Sequence, residues 1–119
     1  MSEIRVDKYG DKTWRNSAGL LHRLDGPAVE YASGSTEWYA DGRPHRLDGP
    51  ADEWQDGGKT WWVNGELHRL DGPAVEHASG STEWWAYGGQ CFNFKDFQEA
   101  GGLSDEEMCV LRLKYGAIT

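Results

Sequence analysis

Apolar residues come in short blocks, and the blocks return at a fixed interval. Trp38, Trp61 and Trp84 stand 23 residues apart, each followed by a second aromatic, Tyr39, Trp62 or Trp85. Polar, glycine-bearing stretches separate them, with Gly19, Gly42, Gly65 and Gly88 in one series and Gly34, Gly57 and Gly80 in another. The string HRLDGPA keeps the same step, at 22–28, 45–51 and 68–74. A period of this length marks a repeat architecture, in which each unit is completed by its neighbours. A longer period overlies it: residues 21–40 match 67–86 at 18 of 20 positions, differing at Tyr31/His77 and Tyr39/Trp85. Either two units were duplicated together, or the middle unit drifted, at Asp52, Trp54, Gln55, Asp56 and Lys59.

The pattern inside one unit predicts a β-hairpin. Residues 59–63 are rich in β-branched and aromatic types and suit a strand. Asn64-Gly65 follows, the pair favoured where both central residues of a type I′ turn need positive φ. The return strand starts at 66–68, is interrupted by 69–72 and Pro73, and resumes over 73–77, since proline cannot donate to a ladder. Residues 78–80 then turn into the next unit. The fold class is therefore mainly β: a single-layer, twisted antiparallel meander of about four repeated hairpins. Side chains alternate across a strand, so Trp61 and Trp62 point to opposite faces, as do Trp38/Tyr39 and Trp84/Trp85. One aromatic row is covered by twist and by long neighbouring side chains. The other is a contact surface if it stays partly open.

Both ends depart from the pattern. Trp14 lies eight residues before His22, whereas Trp38 and Trp61 lie seven before their histidines, which predicts a looser first hairpin around 16–19. At the other end Cys91 falls where a fourth histidine is due. Asn93 is placed to cap a short helix through Ala100, ended by Gly101-Gly102. Ser104 and Glu107 form a capping box, with Leu103 and Met108 as its hydrophobic staple. This second helix runs to Tyr115, with Gly116 after it. Acids open it and Arg112 and Lys114 close it, as the helix dipole favours. The division is a repeat region at 1–90 and a small α-helical cap at 91–119. The cap either covers a sheet edge or face, or docks on a second chain.

Charge narrows the classes of function. The chain of 119 residues carries −8, with +1 in 1–19, −7 in 20–90 and −2 in 91–119. An acidic repeat body repels phosphate backbones, which argues against direct nucleic-acid binding, and suits a basic protein partner. No apolar run approaches the ~20 residues of a membrane span. The polar N-terminus is unlike a secretory signal, and the two cysteines, Cys91 and Cys109, suit a reducing, cytoplasmic setting.

HRLDGPA followed by a tryptophan strand resembles HRxDGPA-type repeat proteins, a degenerate MORN-like group associated with bacteriophages, large DNA viruses and some bacteria. The period, the turns after Trp38 and Trp61, and the recurring Asp-Gly carry the resemblance over residues 4–90. A last tryptophan strand followed by a short helix also resembles how those proteins close. The resemblance implies protein contact or scaffolding, in the host cytoplasm for a phage protein. The lipid contact linked to ordinary MORN repeats needs basic patches, which this body lacks.

The recurring His22/Asp25, His45/Asp48 and His68/Asp71 pairs are assigned to architecture. Catalysis would need a third partner beside each pair. Equivalent histidines ~10 Å apart cannot share one metal ion, whose ligands lie within ~4 Å of each other. No metal, cofactor or catalytic residue is therefore expected. The expected function is a non-enzymatic protein-binding module of phage or mobile-element type that inhibits a host protein. A carbohydrate-binding module or a structural scaffold is the alternative, and self-association stays open. The expected contact residues are Tyr39, Trp62 and Trp85 with Asp52, Trp54 and Asp56 of the divergent middle unit.

Overall fold

The computed structural model describes residues 3–116. They form an elongated body of 48 × 29 × 19 Å. The strands are β1 (Glu3–Val6), β2 (Lys12–Arg15), β3 (Val29–Glu30), β4 (Thr36–Glu37), β5 (Tyr39–Ala40), β6 (Arg43–Pro44), β7 (Asp52–Glu53), β8 (Lys59–Thr60), β9 (Trp62–Val63), β10 (Glu66–Leu67), β11 (Val75–Glu76), β12 (Thr82–Ala86) and β13 (Gly89–Cys91). Nine of them form one sheet in the order β1-β2-β3-β4-β7-β8-β11-β12-β13. Neighbouring strands pair antiparallel throughout. The pairs β5–β6 and β9–β10 are separate two-stranded arms. This is the expected meander.

The strand expected over 59–63 is split at Trp61 into β8 and β9, and its return has the expected two parts, β10 and β11, each shorter than expected. The HRLDGP stretch inserts a loop in the return strand, so the outgoing strand changes partner at the tryptophan. Trp61 N donates to Ala74 O on the wide sheet, while Trp61 O accepts from His68 N in the arm. Trp38 does the same with Ala51 and His45.

The arm turns are the expected type I′ geometry: Asp41 and Gly42 have φ of 49° and 80°, and Asn64 and Gly65 of 50° and 81°. Tyr87 holds the same position at φ 52°, a conformation a bulky residue takes only when its surroundings impose it. The first hairpin has the longer turn, closed by Asn16, whose Oδ1 accepts from Ala18 N and Leu20 N.

The heptapeptide is a bracket built around its arginine. The guanidinium carbons of Arg23, Arg46 and Arg69 lie 4.0, 4.0 and 3.9 Å from the ring centroids of Trp14, Trp38 and Trp61. Each Nε donates to the Asp two residues on, Asp25, Asp48 or Asp71, at 3.1, 2.9 and 2.8 Å. Each Nη1 donates to the carbonyl of Pro27, Pro50 or Pro73 at 3.2, 3.1 and 3.0 Å. Glu30 and Glu76 accept from the same nitrogens at 3.0 and 2.9 Å; Glu53 stands off at 3.7 Å. The recurring glycine makes room for this. A Cβ at Gly26, Gly49 or Gly72 would lie 2.7, 2.9 or 2.7 Å from the guanidinium carbon. Ala28, Ala51 and Ala74 beyond it have no exposed surface.

The histidine joins one unit to the next. Nδ1 of His22, His45 and His68 accepts the backbone N–H of Asp41, Asn64 and Tyr87, 19 residues on, at 3.0, 3.0 and 2.8 Å. Each imidazole therefore tethers the following turn through its unprotonated Nδ1.

The array stops where the bracket stops. Phe92 stands where a fourth arginine is due, and Trp84 is covered by helices instead. These are α1 (Phe94–Gly101), capped by Asn93 and ended by left-handed Gly102, and α2 (Asp105–Tyr115), with the expected Ser104/Glu107 capping box. Phe94, Phe97 and Tyr115 meet the Trp84 ring edge-on at centroid distances of 5.6, 4.9 and 5.3 Å. Trp84, Ala86, Cys91, Phe97, Met108 and Leu111 make the core here, so the cap docks on a face of the sheet's last strands. Both cysteines are free, Cys91 buried and Cys109 exposed.

Two outcomes are expected. Arg46→Ala lowers the unfolding free energy by about 2–3 kcal/mol, the sum of a partly desolvated cation–π contact and charged hydrogen bonds. Arg46→Lys recovers less than half, since an ammonium cannot stack and fork at once; urea denaturation reads both. The second concerns pH. Burial holds the His68 imidazole below the ordinary histidine range, against a weaker opposing pull from Glu66. A base with a lowered folded pKa contributes stability that is full above its unfolded value of about 6.5 and is lost as pH falls through the folded one. The thermal midpoint therefore drops as pH falls below about 6.5. His68→Asn, which keeps an acceptor that does not titrate, flattens that slope.

Candidate functional site

The sheet presents two unlike faces. Trp38, Trp61 and Trp84 lie on one, with the arginine brackets and the helical cap. Tyr39, Trp62 and Trp85 lie on the other, as alternation requires. On this second face each aromatic is bonded by its polar edge to the residue two before it. Tyr39 Oη donates to Glu37 at 3.3 Å, Trp62 Nε1 to Thr60 at 3.1 Å and Trp85 Nε1 to Glu83 at 3.1 Å. A second aromatic row runs alongside in step, Tyr31, Trp54 and His77. Tyr31 Oη also donates to Glu37, at 3.2 Å, and His77 Nε2 lies 2.8 Å from Glu83.

The middle unit rearranges this acid–aromatic face. Glu37 and Glu83 become Thr60, and the valine of Val29 and Val75 becomes Asp52. The carboxylate has moved one strand over, into a site where the other units hold a buried methyl-bearing side chain. Thr60 Oγ1 donates to Asp52 Oδ2 at 2.7 Å. Asp52 is directly opposite Glu37 in the register, and only 9% exposed. Burial pushes its carboxyl above the usual range; the Thr60 bond pulls back, and the Glu37 charge pushes further. Tyr39 is raised to about 12, by burial first and then by Glu37 and Asp52. Glu83 is held low by the bonds from His77 and Trp85.

Of the six expected contact residues, Tyr39, Trp62 and Trp85 share this face as one row. Asp52 is beneath the surface, bonded to Thr60, and so shapes the face without presenting itself to a partner. Trp54 is 40% exposed, in the turn closed by Trp54 N to Gly58 O. Asp56, in the same turn, accepts from Gly58 N at 2.9 Å. Trp54 thus stands in the second row, beside that of Tyr39, Trp62 and Trp85, and Asp56 lies in the turn that follows it.

The other face holds residues that the sequence reading passed over. Leu24 and Leu47 are 78% and 80% exposed, at the tips of the heptapeptide loops. An apolar letter that repeats within a polar turn was the available signal, and it was absorbed into the architectural reading of the string. Shallow grooves run between successive tips. One has walls at Leu24 and Leu47 and a floor of Trp38 and Ala40; the next has walls at Leu47 and Leu70 and a floor of Trp61 and Val63.

Among the described residues no group of three or more His, Cys, Asp or Glu is placed to hold a metal ion, and no helix is long and apolar enough to cross a membrane. Comparison with protein families, with curated proteins and with solved structures gives no match to this chain.

The displaced carboxylate carries an expected outcome. Asp52→Val, which copies the neighbouring units, raises the unfolding free energy at pH 7 by about 1 kcal/mol, because a desolvated charge is replaced by apolar packing. An acid with a raised folded pKa favours the fold in acid and loses that contribution as pH rises through the folded value. The gain from valine therefore shrinks as pH is lowered from 7 to 4, as followed by denaturant unfolding across that range.

Proposed function

We propose that this chain is a non-enzymatic protein-binding repeat module. The observation that carries the reading is the division of labour among its side chains. The recurring His, Arg and Asp are engaged in brackets and tethers. The features left open include two leucine tips, the grooves beside them and an acid–aromatic face. Such an inventory supports recognition by shape and charge.

The HRxDGPA resemblance and the −7 of the repeat body support a finer reading: an accessory protein of phage or mobile-element type that covers a basic, nucleic-acid-binding surface of a host protein. Acidic complementarity of this kind speeds encounter and selects partners. Carbohydrate binding ranks second, because the phenol and indole edges of Tyr39, Trp62 and Trp85 are already bonded to Glu37, Thr60 and Glu83. Few polar edges of that row remain for sugar hydroxyls.

Affinity capture from a bacterial lysate at about 50 mM and about 500 mM salt tests this, since screening at the higher salt removes long-range attraction. The expected result is one protein with a basic surface, retained at low salt and largely released at high salt. Salt-insensitive capture would overturn the charge reading, and the absence of any specific partner would overturn the module.

A further inference from the structure

The first strand leaves one side of the sheet open. β1 is the outermost strand and pairs with β2 through an unbroken register over residues 3–6. Among the described residues no strand pairs its other side. Ile4 and Val6 are 58% and 60% exposed there. Natural sheets blunt such an edge with proline, lysine or a bulge, and residues 3–6 contain none of these.

The hydrogen bonding of the hairpin fixes which groups this edge offers. Asp7 N donates to Asp11 O where the hairpin closes. Antiparallel partners alternate between bonded and non-bonded pairs. Arg5 and Glu3 are therefore bonded to β2, opposite Thr13 and Arg15, whereas Ile4 and Val6 turn their N–H and C=O outward. Trp14, opposite Ile4, obeys the same alternation: its N donates to Ala28 O and its O accepts from His22 N, on the side away from β1.

Side chains select the partner and the register. Glu3 and Arg5 share one face, where Arg5 Nε donates to Glu3 Oε1 at 3.2 Å. Ile4 and Val6 share the other, the face of Trp14. A second copy running antiparallel can bond to this edge only where outward-turned residues oppose each other. Ile4 against Val6 would set Arg5 on Arg5, which repels. Val6 against Val6 would carry the pairing past the strand end, into the turn at 8–10. Ile4 against Ile4 sets Glu3 on Arg5 at both flanks, two pairs of opposite sign. In that register the two isoleucines exchange both backbone bonds, and they lie between the two half-buried Trp14 side chains on one face.

The net charge of the chain does not oppose this contact. Residues 1–19 carry +1, and the −7 lies in 20–90. In the joined sheet the nearest strands of that acidic region, β3 of each copy, would stand about 24 Å apart. This exceeds the Debye length of about 8 Å at physiological salt.

We infer that β1 joins a second copy of this chain edge to edge, antiparallel and with Ile4 opposite Ile4, making one continuous sheet across a two-fold axis. The axis is normal to the sheet, so the acid–aromatic faces of both copies point the same way. The inference goes beyond the protein-binding reading and does not depend on it.

Sedimentation equilibrium of the full chain at about 5–500 µM and about 0.15 M salt tests it. The expected result is a monomer–dimer equilibrium within that range. Ile4→Pro removes the outward N–H and no bond to β2, a change that edge strands accept, and should abolish the dimer. Glu3→Arg and Arg5→Glu each set like charges opposite each other at both flanks and should weaken the dimer about tenfold. The double variant Glu3→Arg/Arg5→Glu restores pairs of opposite sign and should return to within about threefold of the wild type. The two single variants, mixed, should pair with each other more tightly than either pairs with itself. These positions are exposed, so the charge series decides the matter even where Ile4→Pro perturbs the hairpin.

A chain that stays monomeric to about 500 µM would overturn the inference. So would a dimer that keeps its strength in Ile4→Pro and in both single variants, or a double variant as weak as the singles. Species that grow beyond the dimer would mean head-to-tail joining of β1 to β13, a contact that does not close, and would overturn it as well. The protein-binding reading is decided separately: capture of a basic partner by Ile4→Pro leaves it standing whether or not the chain pairs.

Discussion

The placement of one guanidinium over one indole organises this molecule. A sheet one layer thick has no second layer to cover its tryptophans, and a domain this small has little core to draw on. Arg23, Arg46 and Arg69 supply the missing layer from within the strand return itself. Stacking spreads the charge over the ring face, and the forked donors bind an aspartate and a proline carbonyl. The glycine, the proline and the aspartate of the heptapeptide follow from that geometry. When the arginine is absent, as at Phe92, a helical cap must do the same work, and the chain supplies one directly afterwards.

The repeat, the meander, the turn type and both helix caps were legible because each depends on local chemistry: a period, an Asn-Gly pair, a Ser with a Glu three residues later. The opposite placement of Trp61 and Trp62 followed from alternation alone. Three things were not legible. The split at Trp61 comes from competition between two hydrogen-bonding neighbours, which no single segment encodes. The role of His22, His45 and His68 depends on an N–H 19 residues away. The burial of Asp52 depends on Thr60 in the next strand, so its drift from the valine of the other units looked like a surface feature. Likewise Leu24 and Leu47 looked structural because they repeat; only the position of the cap shows that their third equivalent is covered and they are not.

The two faces divide the physical work between them. One is bonded edge to edge by carboxylates and ring donors, and burial raises both its carboxyl at Asp52 and its phenol at Tyr39. The other combines stacked cations with bare aliphatic tips. The first presents ring edges and carboxylates, the second aliphatic tips and acids at a regular step.

The divergent middle hairpin has a further consequence for assembly on the nascent chain. The segments at 21–40 and 67–86 are nearly identical, and copies that alike can take each other's place among the strands, a known hazard of tandem arrays. Between them Asp52 needs Thr60, and neither twin contains that pair. Asp52 and Thr60 face each other within one hairpin, β7–β8, so this contact travels with the middle unit. An exchange of the two twins would leave that contact intact, so the hairpin between them records no order of its own.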